Sequence, residues 1–267
     1  MAHLAQHRPT PSDEARHIRP RPPQLPRPVY VRMSDVPAGY SIGAHCHDWS
    51  QLIYASEGTM TVTTGAGIWI VPPQRAVWVP PGLEHAVAHA TFTRARHIYI
   101  DRTAPVTLPD RCMVLDVSPL LRELIRAATE IPIEYDEDGA EGRLMQVLLD
   151  QLRAPENDNL HLPAPRDPRL SRICQQLQAN PADNRTLQDW SKHCGASSRT
   201  LARLFLRETG MPFRDWRQKL RLLHALEKLA HNRPVTEIAL DLGYGNTSAF
   251  IAMFRKAMGT TPGSYFR

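Results

Sequence analysis

Two hydrophobic rhythms divide the chain. Across residues 29–110 the apolar positions come in short runs, at 30–33, 51–56, 58–63, 67–71, 75–79, 85–91 and 96–100. These runs are rich in Val, Ile, Tyr, Trp and Thr and are punctuated by Gly or Pro, which predicts strands. Short strands at such close spacing predict a small barrel or jelly roll. From residue 118 the spacing becomes helical. Leu120, Leu121, Leu124, Ile125 and Ala128 form one stripe, and Leu144, Val147, Leu148 and Leu152 form another. Two such helices either cap the barrel or pair with a second subunit, and a stripe alone does not choose. Residues 155–168 carry four prolines among polar residues and read as an interdomain linker. Everything beyond reads as helix.

The last 80 or so residues hold one pattern twice. A helical run ending at Gly195 is followed by Ser198-Arg-Thr-Leu-Ala-Arg-Leu-Phe205 and Glu208-Thr-Gly210. A second run ending at Gly243 is followed by Thr247-Ser-Ala-Phe-Ile-Ala-Met-Phe254 and Ala257-Met-Gly259. Short helix, glycine turn, second helix is the grammar of a helix-turn-helix. Thr186 is suited to cap the first copy, and Pro234 or Thr236 marks the start of the second. Residues 213–229 predict a long joining helix with Trp216, Leu220, Leu223, Leu226 and Leu229 inward. At about 1.5 Å per residue it spans about 25 Å, the order needed to place two helices one DNA turn, about 34 Å, apart. The fold class is therefore α+β and multidomain: a β-barrel, then helices, then an all-α domain with two helix-turn-helix motifs.

Charge sharpens this picture. From Asp167 onward there are 16 Lys and Arg against 8 Asp and Glu, whereas the first 166 residues hold 16 against 19. A basic module beside a mildly acidic one suits a polyanion binder with a separate sensing domain. Residues 1–28, rich in Pro, Arg and His, predict an extended or disordered arm. The four cysteines show no Cys-x-x-Cys spacing. The N-terminus lacks an apolar signal core, and no apolar run approaches the ~20 residues that span a bilayer. The expected location is the cytoplasm, with reduced thiols and no membrane partner.

In each repeat the second helix should enter the major groove. With Leu201, Leu204 and Phe205 packed inward, Ser198, Arg199, Ala202 and Arg203 face out. Arginine can bond O6 and N7 of guanine together, so base contact is expected for at least one of Arg199 and Arg203, with phosphate contact as the alternative. The second helix offers Asn246, Thr247, Ser248 and Ile251, with Arg255 and Lys256 toward its end. That face suits thymine methyl and phosphate contacts more than guanine readout.

Residues 169–267 resemble the C-terminal DNA-binding domain of AraC/XylS-type bacterial regulators along their whole length. The matches are Leu204-Phe205-x-x-Glu208-Thr-Gly210, the helix 217–229, Val235-x-x-Ile238-Ala239-x-x-x-Gly243-Tyr244, Ala249-Phe250-x-x-x-Phe254 and Gly259-Thr-Thr-Pro262-x-x-Tyr265-Phe266-Arg267. Ala252 stands where that family often has Arg. Trp190-Ser191 replaces the usual aliphatic-Ala pair. The layout also resembles the subgroup containing nitroimidazole-resistance repressors, which control an adjacent efflux gene. The resemblance implies operator DNA, a homodimer, a small-molecule effector and RNA polymerase as partners.

The segment Gly39-(five residues)-His45-Cys-His47-(three)-Gln51-(six)-Gly58, with Pro80-Pro81-Gly82-Leu-Glu-His85 further on, resembles the two motifs of the cupin barrel over about residues 29–110. The resemblance implies that His45, His47 and His85 converge inside it. Gln51 stands where metal-binding cupins have Glu, and His89 where the second motif usually has Asn. Alternation along a strand would point His45 and His47 the same way. Three imidazoles suit a divalent transition metal; a neutral Gln is a poorer ligand than Glu. A metal-free polar pocket, or core histidines satisfied by their neighbours, are the alternatives. Trp49, Tyr54, Trp69, Trp78 and Tyr99 share these strands, as core or as cavity wall.

The leading reading is a sequence-specific transcription regulator of a nearby transporter or metabolic gene, not an enzyme, with an effector or metal in the barrel. A cupin metalloenzyme fused to a DNA-binding domain is the second reading. An architectural DNA-bending protein is the third.

Overall fold

The computed structural model describes residues 24–73, 75–105, 109–153 and 160–265. Ten strands in these residues form two five-stranded sheets. The first has the order β1 (Val29–Val36), β8 (Thr93–Ile100), β3 (Ser50–Glu57), β6 (Arg75–Val79), β9 (Met113–Asp116). The second has the order β10 (His161–Pro163), β5 (Gly67–Val71), β4 (Met60–Thr64), β7 (His85–His89), β2 (Ser41–His45). Neighbouring strands in both sheets are antiparallel. Ile53, Met60, Val62, Trp69, Val77, Val87 and Ala95 meet between the sheets.

The opposite face of the first sheet is buried as well. Leu52, Tyr54, Trp78, Ile98 and Ile100 pack there against helices α1 (Pro119–Ala128) and α2 (Ala140–Asp150). Ser118 caps α1 by accepting from the Leu121 amide at 3.1 Å, with Pro119 in the first turn. Leu121, Ile125, Ala128, Leu148 and Leu152 are buried on the sheet, whereas Leu120 and Val147 stay 54% and 43% exposed. The helices thus cap the sheet and keep an apolar remainder outside. Tyr54 and Trp78 belong to this outer layer, not to the barrel interior.

The expected boundaries need two corrections. The barrel does not stop at 110, because β9 pairs with β6. Nor does the described part of the expected linker 155–168 run free of the barrel. Residues 154–159 lie outside the described residues, but His161–Pro163 is an edge strand on β5. Trp69 stacks on His161 with centroids 4.3 Å apart. Gly67, at φ +150°, has no room for a Cβ, which would collide with the Leu162 carbonyl oxygen. A three-residue strand containing proline leaves no periodicity to read. The arm expected at 1–28 lies outside the described residues for all but its last five positions, as do Phe266 and Arg267 of the C-terminal motif.

The helical domain follows directly. It comprises α3 (Pro168–Ala179), α4 (Leu187–Ser191), α5 (Ser198–Thr209), α6 (Phe213–Ala230), α7 (Val235–Asp241) and α8 (Thr247–Met258). The two repeats are built alike. Gly195 and Gly243 turn at φ +61° and +74°, and Gly210 and Gly259 end the second helices at φ +72° and +76°, a region costly for any residue with a Cβ. Ser197 and Asn246 cap those helices, accepting from the amides of Thr200 and Ala249. Thr186 and Asp189 form a capping box on α4. Phe205, Trp216, Phe250 and Phe254 are buried in the centre. Arg221 is buried too, and donates to the Pro181 carbonyl at 2.9 Å and to Asn184 Oδ1 at 2.8 Å.

Barrel and helical domain touch through named bonds. Trp216 Nε1 donates to the Pro163 carbonyl of β10 at 2.8 Å. The Glu208 carboxylate, at the end of α5, accepts from the Arg166 and Asp167 amides at 2.9 and 2.8 Å. Those amides, the Asp167 one foremost, hold its pKa below the usual carboxylate range. Arg75 of β6 pairs with Asp116 and hydrogen-bonds the Tyr265 side chain.

Candidate imidazole pocket and DNA-reading face

His45 ends β2, His85 begins β7, and the two are register partners. His47 lies just past β2, before β3 begins at Ser50. Strand alternation therefore does not align the first two histidines; the turn after β2 does. One ring nitrogen from each of His45, His47 and His85 lies within 4.8 Å of the others. Cys46, between them, is exposed.

Backbone carbonyls fix the tautomers. His45 Nδ1 is 2.7 Å from the Gly43 carbonyl, His47 Nδ1 2.7 Å from that of Trp49, and His85 Nδ1 3.0 Å from that of Leu83. A carbonyl oxygen only accepts, so each Nδ1 carries the proton and donates. In the neutral ring each Nε2 then carries a lone pair. His47 Nε2 lies 2.9 Å from one end of the Gln51 amide, and the other end lies 3.0 Å from His97 Nδ1. With the His47 Nε2 bare, the amide N–H donates to it and the amide oxygen accepts from His97 Nδ1–H, a bond an ion at His47 would replace. A centre made of lone pairs on imidazoles braced through their other nitrogens fits a cation such as Zn, Ni, Fe or Cu. Gln51 is buried and braces rather than neutralises.

His89 lies deeper on β7. It is 1% exposed, and neither ring nitrogen has a hydrogen-bond partner among the described residues. Burial pulls its pKa down to about 4, which keeps the ring neutral.

On α5, Arg199, Ala202 and Arg203 are exposed and Ser198 is partly buried at the helix start. Neither arginine has an ion-pair partner among the described residues. Leu201, Leu204 and Phe205 are buried behind them. On α8, Ser248, Ile251, Ala252, Arg255 and Lys256 line one shallow open concavity. Thr247 is half-buried, and Asn246 spends its carbonyl oxygen on the cap of α8.

Residues 190–267 match the Helix-turn-helix domain family, and residues 32–101 match the Cupin domain family. The chain is 39% identical to the HTH-type transcriptional regulator NimR of Escherichia coli over 221 residues, 83% of this chain and 81% of NimR. The chain belongs to the AraC-type transcriptional regulators. A second relative of this AraC-type regulator is the HTH-type transcriptional regulator RipA of Corynebacterium glutamicum, 38% identical over 104 residues, 39% of this chain and 31% of RipA. Among solved structures, ToxT from Vibrio cholerae aligns over 90% of this chain and 97% of its own at 10% identity and a TM-score of 0.36.

As a regulator of this family the protein binds DNA through its C-terminal domain and carries a cupin domain in front of it. Among the described residues no helix is long and apolar enough to cross a membrane. Sequence reasoning missed His97, which meets the Gln51 amide at 3.0 Å. It lies on β8, where Ala95 faces the second sheet while Ile98 and Ile100 face the helices, so apolar residues on both faces hide which one is the interior.

Proposed function

We propose that this AraC-type regulator is a dimeric repressor of a transporter or metabolic gene near its own, and that the state of the barrel pocket sets how the DNA-reading helices are presented. The observation that carries this reading is the direct hydrogen bonding of β10, a barrel strand, and the residues after it to α5 and α6. Leu120 and Val147, exposed on the helices that cap the barrel, support an isologous dimer contact. A dimer bound at two half-sites gains from effective concentration. Arg199 and Arg203 read bases, while Arg255 and Lys256 hold phosphate; RNA polymerase is the partner expected at the promoter, and the cytoplasm, at the nucleoid, the location. The test is footprinting on DNA flanking the gene at two salt concentrations against random competitor. A bounded site that survives competitor is expected. Smeared protection that vanishes with salt would mean phosphate binding alone.

The pocket's role in this reading is to bind, not to transform. Its potential ligand cluster holds only imidazoles; Gln51 does not titrate, and Glu84 is exposed. His45, His47 and His85 would hold a divalent transition metal, which supplies an open coordination position for an effector. His47→Ala should remove bound metal from the purified protein while specific DNA binding by the helical domain remains. Metal content equal to wild type, measured by elemental analysis, would take His47 out of the site.

A further inference from the structure

We propose that the barrel pocket takes a planar organic carboxylate, with Arg32 as the residue that receives its anionic group. This rests on the reading of the barrel as the effector domain, not on its metal content.

Arg32 is placed by register. On β1 it pairs directly with His97 of β8, and directly paired residues of an antiparallel ladder project from the same face. His97 bonds Gln51, which bonds His47, so that face is the barrel interior. Tyr30, two residues earlier, confirms the parity by stacking on Tyr99 at 5.8 Å. Val29, Ile98 and Ile100 point the other way, into the helical layer. Arg32 is half-buried on an edge strand and has no hydrogen-bond or ion-pair partner among the described residues.

The rings between Arg32 and the imidazole centre form a continuous wall. Tyr99 stacks on His97 at 6.1 Å and meets the Trp49 edge at 6.2 Å; Trp49 lies parallel to His47 at 5.3 Å and 4°. Such a wall suits a flat, unsaturated body. Two groups at its ends, Trp49 Nε1 and Arg32, supply protons without acceptors among the described residues. Trp49 Nε1 is buried with no hydrogen-bond partner among the described residues, and indole and guanidinium can only donate. Among the described residues neither has a carboxylate partner, and Asp35, Asp48, Glu57, Glu84 and Asp116 are all exposed. A ligand that meets this wall brings acceptor oxygens and negative charge. A carboxylate matches the planar guanidinium fork with two parallel bonds.

The experiment uses full-length protein, zinc-loaded and chelator-treated, with benzoate as probe and benzamide as its neutral counterpart, followed by titration calorimetry. Saturable benzoate binding at one site per subunit is expected, tighter than benzamide. Arg32→Gln should weaken benzoate by about tenfold to a hundredfold and leave benzamide unchanged. Arg32→Lys, which keeps the charge and loses the fork, should fall between, and it decides the matter if Arg32→Gln melts early. No benzoate binding, benzamide binding as tight as benzoate, or full benzoate affinity in both variants overturns the proposal. The same samples are footprinted. Arg32-dependent benzoate binding that leaves the footprint untouched removes the effector reading and keeps the carboxylate site; a specific footprint without benzoate binding does the opposite.

Discussion

Trp216→Ala is expected to destabilise the helical domain by about 3–5 kcal/mol and to abolish the specific footprint near the melting temperature, while the barrel keeps its strand signal. Trp216 is fully buried on α6, the helix that joins the two reading units. Its ring meets Phe205 of α5 edge-on at 5.8 Å, and Phe205 meets Phe213 at 5.2 Å. Truncation opens a cavity at the junction of α5 and α6 and strands the Pro163 carbonyl. Trp216→Phe separates the two losses. It keeps most of the packing and removes the 2.8 Å bond to β10, at about 1–3 kcal/mol. The check is differential scanning calorimetry with circular dichroism on both variants. A Trp216→Ala melt that superimposes on the wild type would show that this residue does not hold the domain together.

The importance of Trp216 to α6 was legible in its helical spacing with Leu220, Leu223, Leu226 and Leu229; its bond to the barrel was not. The difference is general to this chain. Repeated long helices carry their period in sequence, and the glycines that need positive φ mark their ends, so both helix-turn-helix units could be read from residues alone. β10 has three residues, one of them proline, and its pairing with β5 is decided by tertiary contact. The convergence of His45, His47 and His85 came from a resemblance, and the alternation argument offered for it fails because β2 ends at His45. The braces on the Nδ1 atoms depend on carbonyls two residues away, set by local turns that composition does not encode. His97 and Arg32 escaped notice for another reason. The first sheet is buried on both faces, by the second sheet and by α1 and α2, so alternation in β1 and β8 cannot say which face is the interior.

The two repeats share a backbone plan and differ in chemistry, and this sets how sequence preference is divided between them. On α5 two arginines four residues apart are exposed, with apolar residues buried behind them. The matching face of α8 offers Ser248, Ile251 and Ala252, with its cations only in the last turn. Hydroxyls and methyls discriminate less sharply than a bidentate guanidinium.

Removing the α5 arginines should therefore cost specificity, and removing the α8 cations should cost affinity alone. Arg203→Ala is expected to lose about 1–3 kcal/mol on the footprinted site and to relax base preference at one position, with a much smaller loss on random DNA. Arg199→Ala should behave likewise at a neighbouring base if it too reads an edge. Arg255→Ala should weaken specific and random duplexes equally and lower the slope of log K against log salt by about 1. Fluorescence anisotropy on both duplexes over a salt series measures all three. The variants share the exposed side of their helices and remove no buried group, so stability effects should stay within about 0.5 kcal/mol. Equal losses on specific and random DNA for both α5 variants would assign these arginines to phosphate and move base readout to Ser248 and Ile251 of α8. A loss confined to the specific site for Arg203→Ala, alongside a uniform loss for Arg255→Ala, would place recognition in the first repeat and anchoring in the second.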